Sequence, residues 1–285
     1  IIPAWKAAGF IERAVASALA STGVSVQVVV VDDASPDYTF HVISRLAEDD
    51  PRVIAERLPV NGGPSAARNR AIELSSGRYI AILDADDTIA AGRLARLVAL
   101  ADQTGADVVA DNMVEVDETG RQIGAGRFLK SEAFAADRTI DLETWVSFNH
   151  PMKQGDCLGY LKPLFRLSKL EEAQASYDTA LRNSEDYYFV GHLLASGARM
   201  SYVTDTGYFY QRSPASTSHR LQPAQTKAWL DAEQRFRARY AGKLSGETEA
   251  ALNARGRSLR DVNHSRKAPC NRISGLPLAA LTTSQ

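Results

Sequence analysis

The sequence predicts an α/β fold in which helices flank a mostly parallel sheet. In the first half of the chain, short apolar runs alternate with segments whose apolar residues recur at helical spacing. A strand that is apolar on both faces is typical of a parallel sheet covered by helices on both sides. Hydrophobic residues make up 45% and charged residues 24% of the 285 residues. These proportions are those of a globular protein and exclude a fibrous or an intrinsically disordered chain.

Four strands and three helices are predicted before residue 111, where this alternation ends. The first strand is a β-branched run interrupted only by Gln27. Pro64 marks the start of a helix, and Gly77 and Gly105 each follow the end of one. In chain order these elements are a strand at 26–31, a helix at 38–48, a strand at 52–56, a helix at 65–75, a strand at 79–83, a helix at 93–103 and a strand at 107–110.

Beyond residue 111 the pattern is mixed. Turn residues around Gly120 indicate a hairpin, Gly197 ends a helix, and Gly207 separates two predicted strands. The predicted elements are a hairpin at 112–130, a helix at 185–196, strands at 200–204 and 208–212, and helices at 223–241 and 246–260. We therefore expect three regions, 1–111, 112–219 and a C-terminal helical extension at 220–285.

A formal net charge of −1 hides an uneven distribution. Residues 220–272 contain 12 Lys or Arg and 5 Asp or Glu, a net charge of +7, which leaves −8 for the remainder. In the first helix of this segment, Arg235, Arg237 and Arg239 alternate with Phe236 and Tyr240. The pattern predicts either a peripheral contact with anionic lipid headgroups or a solvated helix pair packed on the α/β domain or on a second copy of the chain.

Cysteine content and apolar runs bear on the compartment. Cys157 and Cys270 form neither a disulfide framework nor a CxxC zinc pair, which favours a reducing, cytoplasmic setting. No apolar run approaches the roughly 20 residues that span a bilayer. The chain opens on Ile1-Ile2-Pro3 as if inside a buried strand whose beginning is missing, so the sequence is no basis for excluding an N-terminal signal.

Acidic residues follow two of the predicted strands, at the edge where open parallel sheets bind ligands. Asp32 and Asp33 follow the strand at 26–31, and Asp84 and Asp86 follow the strand at 79–83. Alternate residues of an extended chain face the same way, so Asp84 and Asp86 present two oxygen ligands to one site. Such a pair suits Mg²⁺ or Mn²⁺, which add water and substrate phosphates to one or two carboxylates. We assign Asp87 to capping of the next helix.

The segment 61–69 leads into a helix start, where free amide groups favour anions. It matches neither the P-loop nor the dinucleotide pattern, and a plain turn before a helix is the alternative. Arg68 and Arg70 lie in the first turns of that helix, where a cation is unfavourable. Their position indicates that one of them faces an acidic partner or a ligand.

Glu185 and Asp186 open the helix at 185–196, with Ser184 as the expected N-cap. Acidic residues at a helix start favour the positive end of the helix dipole, and they cap helices more often than they catalyse. From the local sequence alone, capping is therefore the simpler interpretation of this pair.

Taken together, these segments resemble the family-2 inverting glycosyltransferases with the GT-A fold, over at least residues 1–218. Asp111-Asn112 and residues 159–163 are similar to the branch that builds bacterial exopolysaccharides of the succinoglycan type. The chain departs from the family at Trp5-Lys6, where an aromatic residue followed by Asn is common. The matching segments, in the family's order and spacing, are 1–5 with 8–11, 30–35, 61–69, 77–87 with its Asp-x-Asp motif, and 185–186.

The resemblance implies a metal-dependent enzyme that moves a hexose such as glucose from a UDP-sugar to a saccharide or lipid-linked saccharide, with inversion. Region 1–111 would bind the nucleotide sugar, and region 112–219 would bind the acceptor and supply the base. A homodimer is compatible with this picture, and nucleic acid is not an expected partner.

The resemblance also implies roles for individual residues. Asp186 would be the general base, and Glu185 would help to orient the acceptor. Asp86 would bind Mn²⁺ or Mg²⁺ directly, and Asp84 would approach both the ribose and the metal. The remaining donor-site or acceptor-site candidates are Pro3, Ala4, Asp32 or Asp33, and Arg68 around the nucleoside, with Lys162 and Arg212 toward the acceptor or the diphosphate.

Two alternatives use the same residues differently. Residues 80–88 also fit the pattern of haloacid-dehalogenase-like phosphatases, in which Asp84 would be a nucleophile. That family needs a downstream lysine and a further acidic pair, for which the sequence gives no convincing match. The other alternative is a protein that binds a nucleotide sugar without catalysis, which the presence of both metal-ligand and base candidates disfavours.

Overall fold

The structure, a computed structural model, describes residues 1–150, 155–212 and 223–265. The strands are β1 (Ile2–Ala4), β2 (Val28–Asp32), β3 (Val53–Arg57), β4 (Tyr79–Ala81), β5 (Thr88–Ile89), β6 (Val108–Val116), β7 (Gln122–Arg127), β8 (Arg138–Ile140), β9 (Leu164–Arg166) and β10 (Met200–Gln211). The helices are α1 (Ile11–Leu19), α2 (Thr39–Asp49), α3 (Pro64–Glu73), α4 (Arg93–Thr104), α5 (Leu142–Ser147), α6 (Leu167–Glu172), α7 (Glu185–Ala195), α8 (Pro223–Arg239) and α9 (Gly246–Ser265).

Strands β1, β2 and β3 form a parallel sheet with β2 in the centre. Successive side chains of a strand point to opposite faces. Val28 and Val30 accordingly share a core with α1 and α2, whereas Val29 and Val31 pack with Ala67 of α3. Burial on both faces explains why this strand is a continuous β-branched run.

The remaining strands form a mixed sheet in the order β4-β9-β6-β10-β5, with β7 beside β6 and β8 beside β10. Only the β6–β10 pair is parallel among the pairings described here. The two sheets meet where the Ile1 amino group donates to the Ala81 carbonyl at 2.7 Å and the Leu83 amide donates to the Ile1 carbonyl at 3.1 Å. The α/β class is therefore confirmed, and its parallel pairing is concentrated in the first sheet.

The prediction of two strands around Gly207 is wrong. Residues 200–211 form the single strand β10, whose register against β6 shifts between Val203 and Tyr208. A Cβ atom at Gly207 would lie 2.9 Å from Cγ of Arg93. Glycine is required here by the side chain that crosses it, and not by a turn.

The helical extension packs on the α/β domain through α5 and α7. Trp229 and Phe236 of α8, and Tyr240 directly after it, are buried in the same core as the strands. Arg235 pairs with Asp178 on the surface of that domain. For residues 223–261 the structure thus shows the packed helix pair of the two predicted arrangements, and no described helix is long and apolar enough to cross a bilayer.

Candidate active site

The carboxyl ends of β1 and β2 place four of the predicted residues side by side. Ala4 lies in register with Asp32, and the Asp33 amide donates to the Ala4 carbonyl at 2.8 Å. Pro3 precedes Ala4 on the same strand and is half-buried. The structure therefore brings Pro3, Ala4, Asp32 and Asp33 to one edge of the parallel sheet.

Both aspartates after β2 are buried, and each holds a loop. The Asp32 carboxylate accepts from the Ser35 amide at 3.2 Å and lies 3.3 Å from Nε of Arg57. The Asp33 carboxylate accepts from the amides of Gly62 and Gly63 at 2.7 and 2.8 Å. Burial raises the pKa of Asp33, although these two amides oppose the shift. The loop before α3 is thus tied directly to the strand end.

Gly63 has a backbone conformation that favours glycine, with φ at +84°. A Cβ atom at this position would lie 2.5 Å from Nη1 of Arg182. The same guanidinium donates to Oδ1 of Asn61 at 2.9 Å. Arg182 therefore lies across the loop at the start of α3, which sequence reasoning missed because the two segments are far apart along the chain.

Arg68 lies at the centre of an acidic cluster. Its guanidinium is 2.5 Å from Oε1 of Glu185, 3.0 Å from Oδ1 of Asp84 and 3.8 Å from Oδ1 of Asp186. Only 4% of its side chain is exposed, so these contacts are shielded from solvent. Arg70 instead pairs with Glu56 near the surface. The expectation that one of the two arginines faces an acidic partner is met: both do, and Arg68 does so inside the buried cluster.

Lys162 bridges two of the same carboxylates. Its Nζ is 2.9 Å from Oδ2 of Asp84 and 3.3 Å from Oδ2 of Asp186. Burial raises the pKa of Asp84, but the charges of Lys162 and Arg68 outweigh it and bring that pKa to about 2. Asp84 is therefore ionised over the physiological range. Through Lys162 it is connected to Asp186 at the start of α7.

The backbone of Lys162 is itself held by a buried ion pair. Arg93 donates to the Lys162 carbonyl at 2.6 Å and lies 2.7 Å from Oδ1 of Asp111. Both side chains of the Arg93–Asp111 pair are 1% exposed. Asp111 is one of the residues on which the sub-family resemblance is based. In the structure it fixes Arg93, which in turn holds the backbone of Lys162.

Asp86 differs from Asp84 in its electrostatic surroundings. Burial and the charge of Asp84 raise its pKa to about 6. Within the described residues, no group of three or more metal-binding side chains is assembled. Two adjacent carboxylates nevertheless fit Mg²⁺ or Mn²⁺, because these ions complete their coordination with water and substrate phosphates. Repulsion between the two acids is what a bound cation would relieve.

The assignment of Asp87 as a helix cap is wrong. Helix α4 begins at Arg93, and Asp87 instead accepts from the Tyr208 hydroxyl at 2.6 Å and from the Gln211 amide at 2.7 Å. The same hydroxyl accepts from the Asp84 amide at 3.0 Å. Asp87 and Tyr208 therefore fix the turn that carries the Asp-x-Asp motif against β10.

Asp186 lies where the cluster opens, with 17% of its side chain exposed. Burial and, next, the charge of Asp186 raise the pKa of Tyr177, whose side chain therefore lies close to this carboxylate. The Asn69 side-chain amide clasps the Tyr177 backbone through two bonds of 2.8 and 2.9 Å. No local pattern indicates Tyr177, since its partner Asn69 lies 108 residues away. Glu185, by contrast, is 7% exposed and faces Arg68.

Two predictions near the site meet a different local geometry. Ser184 does precede α7, but it adopts the left-handed conformation and its side chain makes no capping bond. Arg212 pairs with Glu115 at 3.5 Å, and not with the carboxylates of the cluster. A separate cavity of about 280 Å³ is lined by residues of β1, β2 and β4 and has no acidic side chain, so it is distinct from this site.

Comparison with known proteins gives one family. The model of glycosyl transferase family 2 matches residues 1–167. The succinoglycan biosynthesis protein ExoO of Rhizobium meliloti is 36% identical over 262 residues, which cover 92% of this chain and 73% of that protein. ExoU of the same organism is 37% identical over 268 residues, covering 92% and 75%.

Solved structures share the fold at low sequence identity. The S. aureus TarS fragment 1–349 in complex with UDP-GlcNAc has a TM-score of 0.69 and 20% identity, covering 93% of this chain and 72% of that chain. The mannosyltransferase PcManGT from Pyrobaculum calidifontis, in complex with GDP-Man and Mn²⁺, has a TM-score of 0.62 and 19% identity, covering 90% and 68%. Both structures have the same overall architecture as this chain.

Proposed function

This chain belongs to glycosyl transferase family 2, and we propose that it transfers a hexose from a UDP-sugar to a hydroxyl of a saccharide acceptor in exopolysaccharide synthesis. The observation that carries the proposal is the cluster of Asp84, Lys162, Arg68 and Asp186. This cluster links the Asp-x-Asp motif to the partly exposed carboxylate of Asp186. Because the chain belongs to this family, the phosphatase alternative is rejected.

Several comparisons support the donor and the pathway. The relatives ExoO and ExoU are named for succinoglycan biosynthesis, and the TarS fragment was solved with UDP-GlcNAc. We propose a lipid-linked saccharide as the acceptor and glucose as the sugar that is moved. In this arrangement Pro3, Ala4 and Asp33 border the nucleoside, with an oxygen of Asp32 or Asp33 accepting from the uracil ring N–H.

The proposed reaction is a single displacement with inversion. A sugar hydroxyl is a weak nucleophile, so a base within hydrogen-bond reach must take its proton as the bond forms. Asp186 receives that proton while the acceptor oxygen bonds to C1 and the bond from C1 to the diphosphate oxygen breaks. The electron pair of that bond leaves with UDP. Lys162 contacts both Asp84 and Asp186, and it places a positive charge between the base and the Asp-x-Asp motif.

We propose that Asp86, together with Asp84, holds Mn²⁺ or Mg²⁺. A divalent cation supplies charge stabilisation to the leaving diphosphate when bound. The chain's own contribution is to keep Asp84 ionised through Lys162 and Arg68, and to fix the motif through Asp87. Glu185 is placed to orient Arg68 from the buried side, in addition to the acceptor role that the family resemblance implies.

The central test is the Asp186→Asn variant. Loss of a general base lowers turnover about 10²–10⁴-fold. We expect UDP release from a panel of UDP-sugars with Mn²⁺ and acceptor to fall by this factor, with the affinity for UDP changed less than twofold. UDP affinity is measured by calorimetry, and turnover by UDP release.

Asp178→Asn is the matched control, because it removes a carboxylate from the segment before α7 that, among the described residues, contacts surface Arg235 and the Ala180 amide and none of the cluster. Its turnover should stay near wild type. Full activity in Asp186→Asn would overturn the base assignment. A wild type that binds UDP-sugars but transfers to no acceptor would favour the non-catalytic binding protein.

We also propose that the exposed cations of residues 220–272 contact a membrane that carries the acceptor. Arg239, Lys243 and Arg257 are exposed, while the aromatic side chains of α8 are buried in the core. Such a contact would depend on charge and not on inserted aromatic rings. A homodimer remains the alternative use of the same surface.

A further inference from the structure

Trp229 of α8 contacts the turn that carries the proposed base. Its indole N–H donates to the Asn183 side-chain oxygen at 2.9 Å and lies 3.2 Å from the Asn183 carbonyl oxygen. Asn183 is three residues before Asp186. Trp229 is buried, with 5% exposed, and Asn183 is half-buried, so these bonds are partly shielded from water. The extension thus contacts the turn immediately before Glu185 and Asp186.

The first turn of α7 is held by α8 at a second point. The Tyr188 hydroxyl donates to the Trp229 carbonyl at 2.9 Å. Arg255 of α9 lies 3.0 Å from Glu233 of α8, and both side chains are buried. Its guanidinium also stacks over the ring of Tyr187 at 3.8 Å. The two extension helices and the start of α7 therefore form one connected polar network inside an apolar contact.

The residue immediately before α7, Ser184, is held in an unfavourable backbone conformation. Ser184 has φ at +59° and makes no side-chain cap. The left-handed conformation is unfavourable for a non-glycine residue, and it persists only where surrounding contacts impose it. The contacts of Asn183 with Trp229 are the neighbouring constraint.

We propose that Trp229 is a positioning residue for Asp186, so that the helical extension is part of the catalytic apparatus. By fixing Asn183, it sets the direction from which the first turn of α7 presents Asp186 to Lys162 and Arg68. The inference rests on the proposed function through the role of Asp186 as base. The family model ends at residue 167 and includes neither α7 nor the extension.

Tyr240 provides a matched control at the opposite end of the same helix contact. Its hydroxyl lies 3.0 Å from the Ser196 hydroxyl and also contacts His192, near the C-terminus of α7. Trp229 and Tyr240 are both 5% exposed, and each contacts α7 or its flanking residues through the polar atom of an aromatic side chain. Only Trp229 lies beside the base.

The experiment compares Trp229→Phe with Tyr240→Phe in the full chain. Each substitution keeps an aromatic ring and removes the polar atom, and Trp229→Phe in addition replaces the bicyclic indole with a smaller ring. We expect kcat of Trp229→Phe to fall at least tenfold with the donor KM changed less than twofold, while Tyr240→Phe keeps kcat within twofold. Asn183→Ala, which keeps the backbone acceptor, should show a smaller loss of kcat. Equal kcat in the two ring variants, with wild type active, would overturn the proposal.

Amide hydrogen exchange gives a readout that does not need turnover. Trp229→Phe should accelerate exchange at residues 183–187, and Tyr240→Phe should accelerate exchange at 192–196 instead. Unchanged exchange at 183–187 in Trp229→Phe would overturn the positioning role even if transfer is active. An inactive wild type would count against the proposed function, while the exchange pattern would still decide whether Trp229 fixes the turn.

Discussion

Asp84 and Asp86 lie two residues apart, yet their carboxylates are compensated differently. Asp84 contacts Lys162 and Arg68, which lower its pKa to about 2 against the effect of burial. Asp86 forms no ion pair among the described residues, and burial together with the charge of Asp84 raises its pKa to about 6. The difference follows from which carboxylate faces the two cations.

The raised pKa of Asp86 leads to a prediction about how the stability of the protein depends on pH. Its folded pKa of about 6 lies above the ordinary value of 3.8, so the native state binds this proton more tightly than the unfolded chain. The charged form therefore destabilises the metal-free protein above pH 6, and stability is regained as the pH falls toward 4. We expect Asp86→Asn to raise the free energy of unfolding at pH 7.5 in EDTA by about 1–2 kcal/mol, and Tm by about 2–5 °C.

Thermal melts in EDTA from pH 4 to pH 8 test this prediction, with Asp84→Asn as the control of opposite sign. Asp84→Asn removes the partner of Lys162 and Arg68 and should lower Tm at pH 7.5. The gain in Asp86→Asn should vanish near pH 4, and Mn²⁺-dependent UDP binding should weaken. A lower Tm for Asp86→Asn at pH 7.5 would contradict the assigned repulsion.

At the scale of elements, the loop between β3 and α3 depends on one glycine. The Gly63 amide donates to Asp33, and the Arg182 guanidinium occupies the space beside its Cα. A methyl group at position 63 must displace Arg182, and the alanine that carries it must also adopt a positive φ. The conformation of the loop that leads into α3, the helix of Arg68, therefore depends on glycine at position 63.

We predict that Gly63→Ala lowers the free energy of unfolding by about 1–3 kcal/mol, because strained positive-φ conformations cost that much. Urea unfolding followed by circular dichroism measures the change. Gly92→Ala is the control, since Gly92 has φ at −86° and no atom within 4 Å of its added Cβ. Equal stability of the two variants would show that the loop relaxes around the methyl group.

At the scale of the whole molecule, the extension is continuous with the core. Trp229, Leu252 and Leu259 belong to the same apolar cluster as Ile2 and Val30 of the parallel sheet. Burial of these side chains uses the apolar faces of α8 and α9, and it leaves cations on the outside. The positive charge of this region is therefore presented by a packed surface.

The proposed membrane contact should accordingly behave as an electrostatic one. A variant with Arg239, Lys243 and Arg257 changed to Glu should lose most sedimentation with vesicles rich in anionic lipid. Each cation near such a surface contributes about 1 kcal/mol. Wild-type binding should fall at 0.5 M salt and be absent with zwitterionic vesicles. Binding that ignores lipid charge and salt would rule out this contact.

Patterns among neighbouring residues predict the class of fold and the positions of the acidic groups. β-Branched runs and helical spacing are properties of neighbouring residues, so β2, α3 and α4 were predicted to within a few residues. The acids at strand ends followed from the same local pattern. Arg68 could also be singled out, because a cation in the first turns of a helix is unfavourable without a partner.

Which groups come into contact depends on how the helices and strands pack, and local patterns do not show it. Lys162 pairs with Asp84, Asn69 holds Tyr177 across 108 residues, and Trp229 reaches Asn183. The packing also reversed the expected task of Asp87, whose partner Tyr208 lies 121 residues away. Local spacing sets the faces of a helix or strand, but the partner of a charge or an aromatic ring depends on which surfaces pack together.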